Sequence, residues 1–177
     1  GATILKLAEQ GKVNLKQVIP YGKADLLPTS PVTTENLGKG GMTVEALARA
    51  THVTSDNAAA NLLLKHIGGP EMVTAFWRSL GDNVSRLDRY ETDMNMVPPG
   101  EIRDTTSPQA IAKSMQKFLL GDVLSKESKA KLVAWMVHTE TGKQRVRAGM
   151  PPEWRAGDKT GTGADKSFAN KYNDIAI

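Results

Sequence analysis

The chain has 177 residues, 40% of them hydrophobic, which is enough for one domain or for two lobes sharing a core and too apolar for a disordered segment. Its net charge of +4 comes from Lys and Arg spread along the chain, without the clustered runs or interleaved aromatics of a nucleic-acid surface, so no nucleic-acid partner is expected. There is no cysteine, His52, His66 and His138 lack metal-ligand spacing, and no apolar run approaches a membrane span, so disulfides are excluded and neither metal chemistry nor a membrane partner is expected.

Both ends read as cut. Ile4, Leu5 and Ala8 begin a helical pattern without a capping residue, and residues 173–177 stop on an apolar, strand-like run, so the sequence is expected to be a piece of a longer chain. The first helix is predicted to end at Gly11-Lys12. Residues 13–41, punctuated by Pro20, Pro28, Pro31, Gly38, Gly40 and Gly41, read as loop with short extended pieces. Thr43 then caps a short helix through Thr51, with Val44, Leu47 and Ala48 on one side.

In the stretch 54–69, Ala58, Ala59, Ala60, Leu62, Leu63, Leu64 and Ile67 leave almost no polar stripe, so a helix here should be buried. Ser55-Asp56-Asn57 stands at its start and Gly68-Gly69 at its end, where a left-handed cap is wanted. Pro70 opens the next helix, whose Val73, Phe76, Trp77 and Leu80 are spaced for a core-facing stripe that stops at Gly81. Periodicity dissolves over residues 83–106. A structureless stretch longer than about 15 residues inside a compact domain tends to be functional. Ser107-Pro108 reopens a helix with Ile111, Met115, Phe118 and Leu119 inward, and another is predicted over 125–138 with Leu132, Val133, Met136 and Val137 inward. After Gly142, residues 154–163 and 172–177 read as two strands joined by a polar loop. Helices come first and strands last.

Three short polar stretches could carry chemistry. Ser55-Asp56-Asn57 marks a buried helix start, which a plain N-cap would also explain. Glu91 and Asn95, a carboxylate and an amide four residues apart, could hold one water between them, or Glu91 and Asp93 could belong to an ordinary solvated loop. Asp158-Lys159-Thr160-Gly161-Thr162-Gly163 combines a cation, two hydroxyls and two glycines, suited to holding a carboxylate against a close backbone, although Lys159 could equally be an exposed strand lysine. A glycosidase carboxylate pair is conceivable too, with nothing to fix its separation.

Taken in order, Ser-Asp-Asn at 55–57, Arg-Leu-Asp-Arg-x-Glu-x-x-x-Asn at 86–95, Arg-Asp-Thr-Thr-Ser-Pro at 103–108 and Asp-Lys-Thr-Gly-Thr-Gly at 158–163 resemble the class A serine β-lactamases. Ser30-Pro31-Val32-Thr33 and His66-Ile-Gly-Gly-Pro70 are similar to that family as well, and the likeness extends over nearly the whole chain. The resemblance implies a two-lobe α/β fold, truncated and mostly helical here, with residues 1–145 a nearly complete helical lobe and 146–177 the first strands of the α/β lobe.

It also implies roles. Glu91 resembles the general base that, with Asn95, positions the water hydrolysing the acyl-enzyme, and Ser55 the hydroxyl that relays a proton to the β-lactam nitrogen. Asn57 matches an amide that contacts the substrate side chain. Lys159, Thr160, Gly161 and Thr162 match the wall that binds the substrate carboxylate, with the Thr162 N–H in the oxyanion hole and Arg145 adding positive charge behind it. Arg89 and Asp104 match an ion pair that closes the long loop on itself.

The implied protein is a monomeric enzyme of the periplasm or cell exterior that acts on β-lactams without metal or organic cofactor. A penicillin-binding peptidase, which does not need the deacylating glutamate, and a non-catalytic domain that kept the carboxylate pocket are the alternatives. The family's nucleophile, the Ser of Ser-x-x-Lys, is expected a few residues before Gly1 on the same helix, so this segment alone is expected to be inactive, and unstable for want of strand neighbours. Thr92 follows Glu91 where the family usually has Pro, residues 163–173 make a longer loop than in many members, and Thr29 stands where an aromatic residue often flanks the entrance.

Overall fold

The computed structural model describes residues 1–165 and 167–177, with the backbone alone described at Asp165 and Phe168. In chain order they form α1 (Ala2–Glu9), β1 (Val18–Ile19), α2 (Pro31–Glu35), β2 (Met42–Thr43), α3 (Val44–Val53), α4 (Asn57–Ile67), α5 (Glu71–Ser79), α6 (Pro108–Leu119), α7 (Lys126–Val137), β3 (Asp158–Asp165) and β4 (Phe168–Ala176).

The centre is the α3–α4 pair. The Thr43 hydroxyl accepts the Ala46 N–H at 3.1 Å to start α3, and the Asp56 carboxylate accepts the Ala59 N–H at 2.9 Å to start α4. Val44, Leu47, Ala48, Ala58 and Ala59 are wholly excluded from solvent, and α4 buries Leu62, Leu63 and Leu64 in succession, which only a helix covered on most sides can do. Gly68 ends α4 at φ +100°, a conformation glycine adopts without a Cβ clash. Around this pair α1 contributes Ile4 and Leu5, α6 Met115 and Phe118, and α7 Leu132, Trp135 and Met136. Ser107 and Ser125 cap α6 and α7 through the N–H groups of Ala110 and Ser128.

Several elements differ from expectation. Residues 31–35, expected as loop, form α2, opened by Pro31 and tied to α4 because the Val32 and Thr33 N–H groups donate to Asp56 at 3.0 and 2.9 Å. Phe76 and Trp77, expected in the core, are half-buried. Helix α5 buries none of its residues fully, and its Phe76 ring leans on Phe118 at 6.4 Å across an open hollow. On α7 the expected inward Val133 and Val137 are half-buried, while Trp135, not expected inside, is 5% exposed and packs against His52.

The strands differ too. Trp154 lies in a turn and is 64% exposed, so the first strand begins only at Asp158. The stretch expected as a long polar loop is mostly strand. β3 and β4 pair antiparallel from Asp158↔Ala176 through Thr162↔Tyr172 to Gly163↔Lys171, with a register shift between Gly163 and Asp165. Hydrogen bonding along the hairpin continues where the apolar pattern fades. The 83–106 stretch holds no regular element beyond a turn at Asp93–Asn95.

Candidate active site

Ser55 occupies the junction between α3 and α4 at φ 55°, a left-handed conformation costing a non-glycine residue about 1–3 kcal/mol. Among the described residues the other non-glycine positions with positive φ are Thr29 and Asp104. Thr29 and Ser55 line one cleft, and Asp104 holds the loop that forms its other wall. Asp56 keeps Ser55 in place: its carboxylate, wholly excluded from solvent, accepts from the N–H groups of Val32, Thr33 and Ala59 and from the Thr33 hydroxyl.

The cleft holds about 380 Å³ and brings Ser55, Asn57, Glu91, Asn95, Arg145 and the Lys159–Thr162 strand segment together. Lys159 reaches across from β3 and donates to Ser55 Oγ at 2.6 Å and to the Thr160 carbonyl at 2.7 Å. Because Lys159 donates, the Ser55 hydrogen is left to be given to something else. Burial pulls the Lys159 ammonium below its ordinary value, against the opposing pull of Glu91 and Asp158.

On the opposite wall Asn95 Nδ2 donates to Glu91 Oε2 at 2.6 Å. Burial pushes the Glu91 carboxyl above its ordinary value, opposed by the Asn95 hydrogen bond and the Lys159 charge. The loop carrying it is closed at its neck, where Arg89 Nε donates to Asp104 Oδ2 at 2.6 Å, and Asp104 Oδ1 accepts from the N–H groups of Asp88 and Arg89. The Glu91–Thr92 peptide is cis, although no proline follows Glu91.

Two further ties escaped the sequence reading. Asn61 on α4 clamps the Glu91 backbone from both sides, accepting its N–H and donating to its carbonyl, each at 2.8 Å. Its signal was a single amide within the apolar run of α4. Asp82 accepts from Val84, Ser85 and Ser114, and Ser85 Oγ lies 2.6 Å from Thr106 Oγ1, so the two ends of the loop meet at one buried carboxylate. Burial alone would raise Asp82, but these hydrogen bonds outweigh it and hold the carboxyl at about 2.

The remaining candidates fall into place individually. Asn57 lines the cleft with its Nδ2 donated to the Pro28 carbonyl at 2.8 Å. Thr160 Oγ1 lies 2.7 Å from Thr141 Oγ1. A Cβ on Gly161 would meet only ordinary contact, whereas one on Gly163 would fall 2.8 Å from the Asn95 carbonyl, so Gly163 is the glycine that the packing of hairpin on loop requires. Beneath the strand the buried Asp158 pairs with Arg147, and burial pushes its carboxyl upward against the pull of that guanidinium. From sequence Asp158 reads only as the first residue of the strand motif, without this partner, and Arg147 is not singled out.

Ser-x-x-Lys spacing occurs at Ser114–Lys117 and Ser128–Lys131, on α6 and α7. Neither lines the cleft. Ser114 binds Asp82, and Lys131 pairs with Glu45 at 2.6 Å.

A hydroxyl bonded to a lysine, a carboxylate bonded to an amide, and a cationic strand edge in one cleft can give and take protons beside a bound anion. Residues 2–177 match the beta-lactamase enzyme family. The chain belongs to that family. Beta-lactamase FAR-1 of Nocardia farcinica is 50% identical over 161 residues, which is 91% of this chain and 50% of that protein. The carbapenem-hydrolyzing beta-lactamase KPC of Klebsiella oxytoca is 46% identical over 97% of this chain and 58% of its own length. Among solved structures, an ancestral class A beta-lactamase superposes with a TM-score of 0.94 at 51% identity, covering 99% of this chain and 65% of that one. The chain therefore has the α/β fold of the class A beta-lactamases and spans about half to two thirds of the relatives it matches. Among the described residues no helix is long and apolar enough to cross a membrane.

Proposed function

We propose that this chain carries the deacylating and carboxylate-binding parts of a serine β-lactamase site that hydrolyses penicillin- or cephalosporin-type antibiotics. In this reading a serine hydroxyl, which family resemblance puts on the helix that includes α1, attacks the lactam carbonyl. The C–N bond breaks, the nitrogen takes its proton from Ser55, and the proton given up by the attacking hydroxyl replaces it there. Glu91 then removes a proton from the water it holds with Asn95, and that water attacks the ester carbonyl. The ester C–O bond breaks, and the departing serine oxygen takes the proton from Glu91, so that both groups are restored.

Lys159, Thr160 and Thr162 hold the substrate carboxylate with Arg145 behind them, the Thr162 N–H faces the developing oxyanion, and Asn57 meets the substrate side chain. Gly161 lets the substrate lie close to the strand, and the Arg89–Asp104 pair keeps Glu91 in position. Residues 1–145 would form the helical lobe and 146–177 the opening strands of the α/β lobe, in a monomer of the periplasm or cell exterior.

The observation that carries this reading is the 2.6 Å contact between Asn95 and Glu91 in the same cleft as the 2.6 Å contact between Lys159 and Ser55. A penicillin-binding peptidase has no use for the first contact. Mass spectrometry of the full-length protein decides between them: a covalent penicillin adduct should accumulate on the Glu91→Gln protein and clear from the wild type, whereas a peptidase would keep the adduct in both. Turnover equal to wild type would remove Glu91 from its role.

A further inference from the structure

Arg145 is an unusual cation for its surroundings. Its guanidinium donates to the Asn173 carbonyl at 2.6 Å, to the Gly161 carbonyl at 3.3 Å and to Thr162 Oγ1 at 2.6 Å, all neutral acceptors. Among the described residues no carboxylate lies within ion-pair distance of it. Instead its Cζ stands 5.5 Å from the ring centroid of Tyr172, within range of a cation–π contact. Tyr172 pairs directly with Thr162 across the hairpin, and directly opposed residues project from the same face, so ring, hydroxyl and guanidinium share one side of the sheet, with Thr162 and Arg145 lining the cleft and the ring behind them. The ring is open to solvent, with Tyr172 66% exposed, so little of it is used to fill a core.

We propose that Tyr172 is a positioning residue that holds Arg145 in place without neutralising it. The proposal rests on the carboxylate-binding role given above to Lys159, Thr160 and Thr162. An aspartate or glutamate at this position could fix the guanidinium as firmly, but it would cancel the positive field that an incoming anion feels. An aromatic face attracts the cation through its quadrupole and leaves the net charge intact. Held this way, Arg145 donates to Thr162 Oγ1, so the Thr162 hydrogen points away from the guanidinium and is available to the substrate carboxylate. Tyr172 touches the reaction only through this arrangement.

The test compares Tyr172→Leu, Tyr172→Phe and Tyr172→Glu in the full-length enzyme, with a penicillin and its uncharged methyl ester as substrates. Leu keeps bulk and strand compatibility but removes the ring face. It should raise KM for the anionic penicillin by about two- to five-fold, the scale of an exposed cation–π contact, with kcat and the ester's KM little changed. Phe should rescue the loss, and Glu should raise the anionic KM further than Leu.

A second readout needs no turnover: the Arg145 Nε–H proton signal should be shifted by the ring in wild type and the Phe variant, and revert in the Leu variant. Equal KM changes for acid and ester, or an Arg145 signal identical in the wild-type, Phe and Leu proteins, would overturn the proposal. Wild-type protein that hydrolyses neither substrate would defeat the β-lactamase reading instead, and the Arg145 signal would then decide the role of Tyr172 alone.

Discussion

The two walls of the cleft are held by opposite means. Ser55 is fixed by the core: the next residue, Asp56, is wholly buried, caps α4 and ties α2 to it, and the helix behind is covered on most sides. Glu91 is fixed by polar ties on a stretch with almost no regular structure, namely the Arg89–Asp104 pair, the Asn61 clamp and the Asp82 network at the loop's neck. One wall is a consequence of folding, while the other has to be fastened after the core exists. Damage to the first should appear as lost stability, and damage to the second as lost turnover in a folded protein.

The largest effect expected from that contrast is at Glu91 itself. Glu91→Gln keeps the size and the hydrogen-bonding partner but removes the proposed base, so kcat should fall by about 10²–10⁴-fold, with the thermal midpoint hardly moved. On the other wall, Asp56→Ala strips the acceptor from the N–H groups of Val32, Thr33 and Ala59, the last two buried, and from the Thr33 hydroxyl. It should lower folding stability by about 3 kcal/mol or more, read from urea denaturation. If the two variants gave the same signature, the contrast between the walls would fail.

Next in size is the loop neck. Asp104→Asn leaves the Arg89 guanidinium, 20% exposed at its side chain, without its charge partner, and a displacement of Glu91 by about 1 Å is enough for a loss in kcat of roughly 10²-fold. Measured side by side, this variant should lose much less stability than Asp56→Ala.

The smallest effect is in pH dependence. Because burial raises the Glu91 carboxyl and the base must be ionised to act, the acid limb of kcat should lie above the ordinary glutamate value of about 4.3. Since Lys159 pulls that value down, Lys159→Ala should move the limb to still higher pH. A limb below 4 in the wild-type profile would argue against a buried base.

The same division explains what could be read in the chain. Helices α3, α4, α6 and α7 announced themselves because period, cap and stop signal agree within each segment, as at Thr43, Ser107-Pro108 and Gly68. The short α2 escaped even though Ser30-Pro31 carries the same opening as Ser107-Pro108, because its stability comes from Asp56, which lies 25 residues after Pro31 in the sequence. The full hairpin escaped because its cross-strand hydrogen bonds need no apolar alternation beyond Gly163.

In the cleft, Ser55, Glu91 and Lys159 were visible as polar residues in short ordered motifs. Asn61, Asp82 and Arg147 were not, because each acts by holding another residue at a distance along the chain, Asp82 through Ser114. Order along the chain marks the groups that could act. Only the fold reveals those that hold them.

In the proposed reaction Ser55, Glu91 and Lys159 serve one bound molecule, which a crystal structure of the full-length Glu91→Gln protein after reaction with a penicillin would reveal. An ester-linked ligand is expected, with its carboxylate on Lys159, Thr160 and Thr162 and its ester carbonyl facing residue 91. A ligand with its carboxylate away from Lys159, or with its ester out of reach of residue 91, would contradict it.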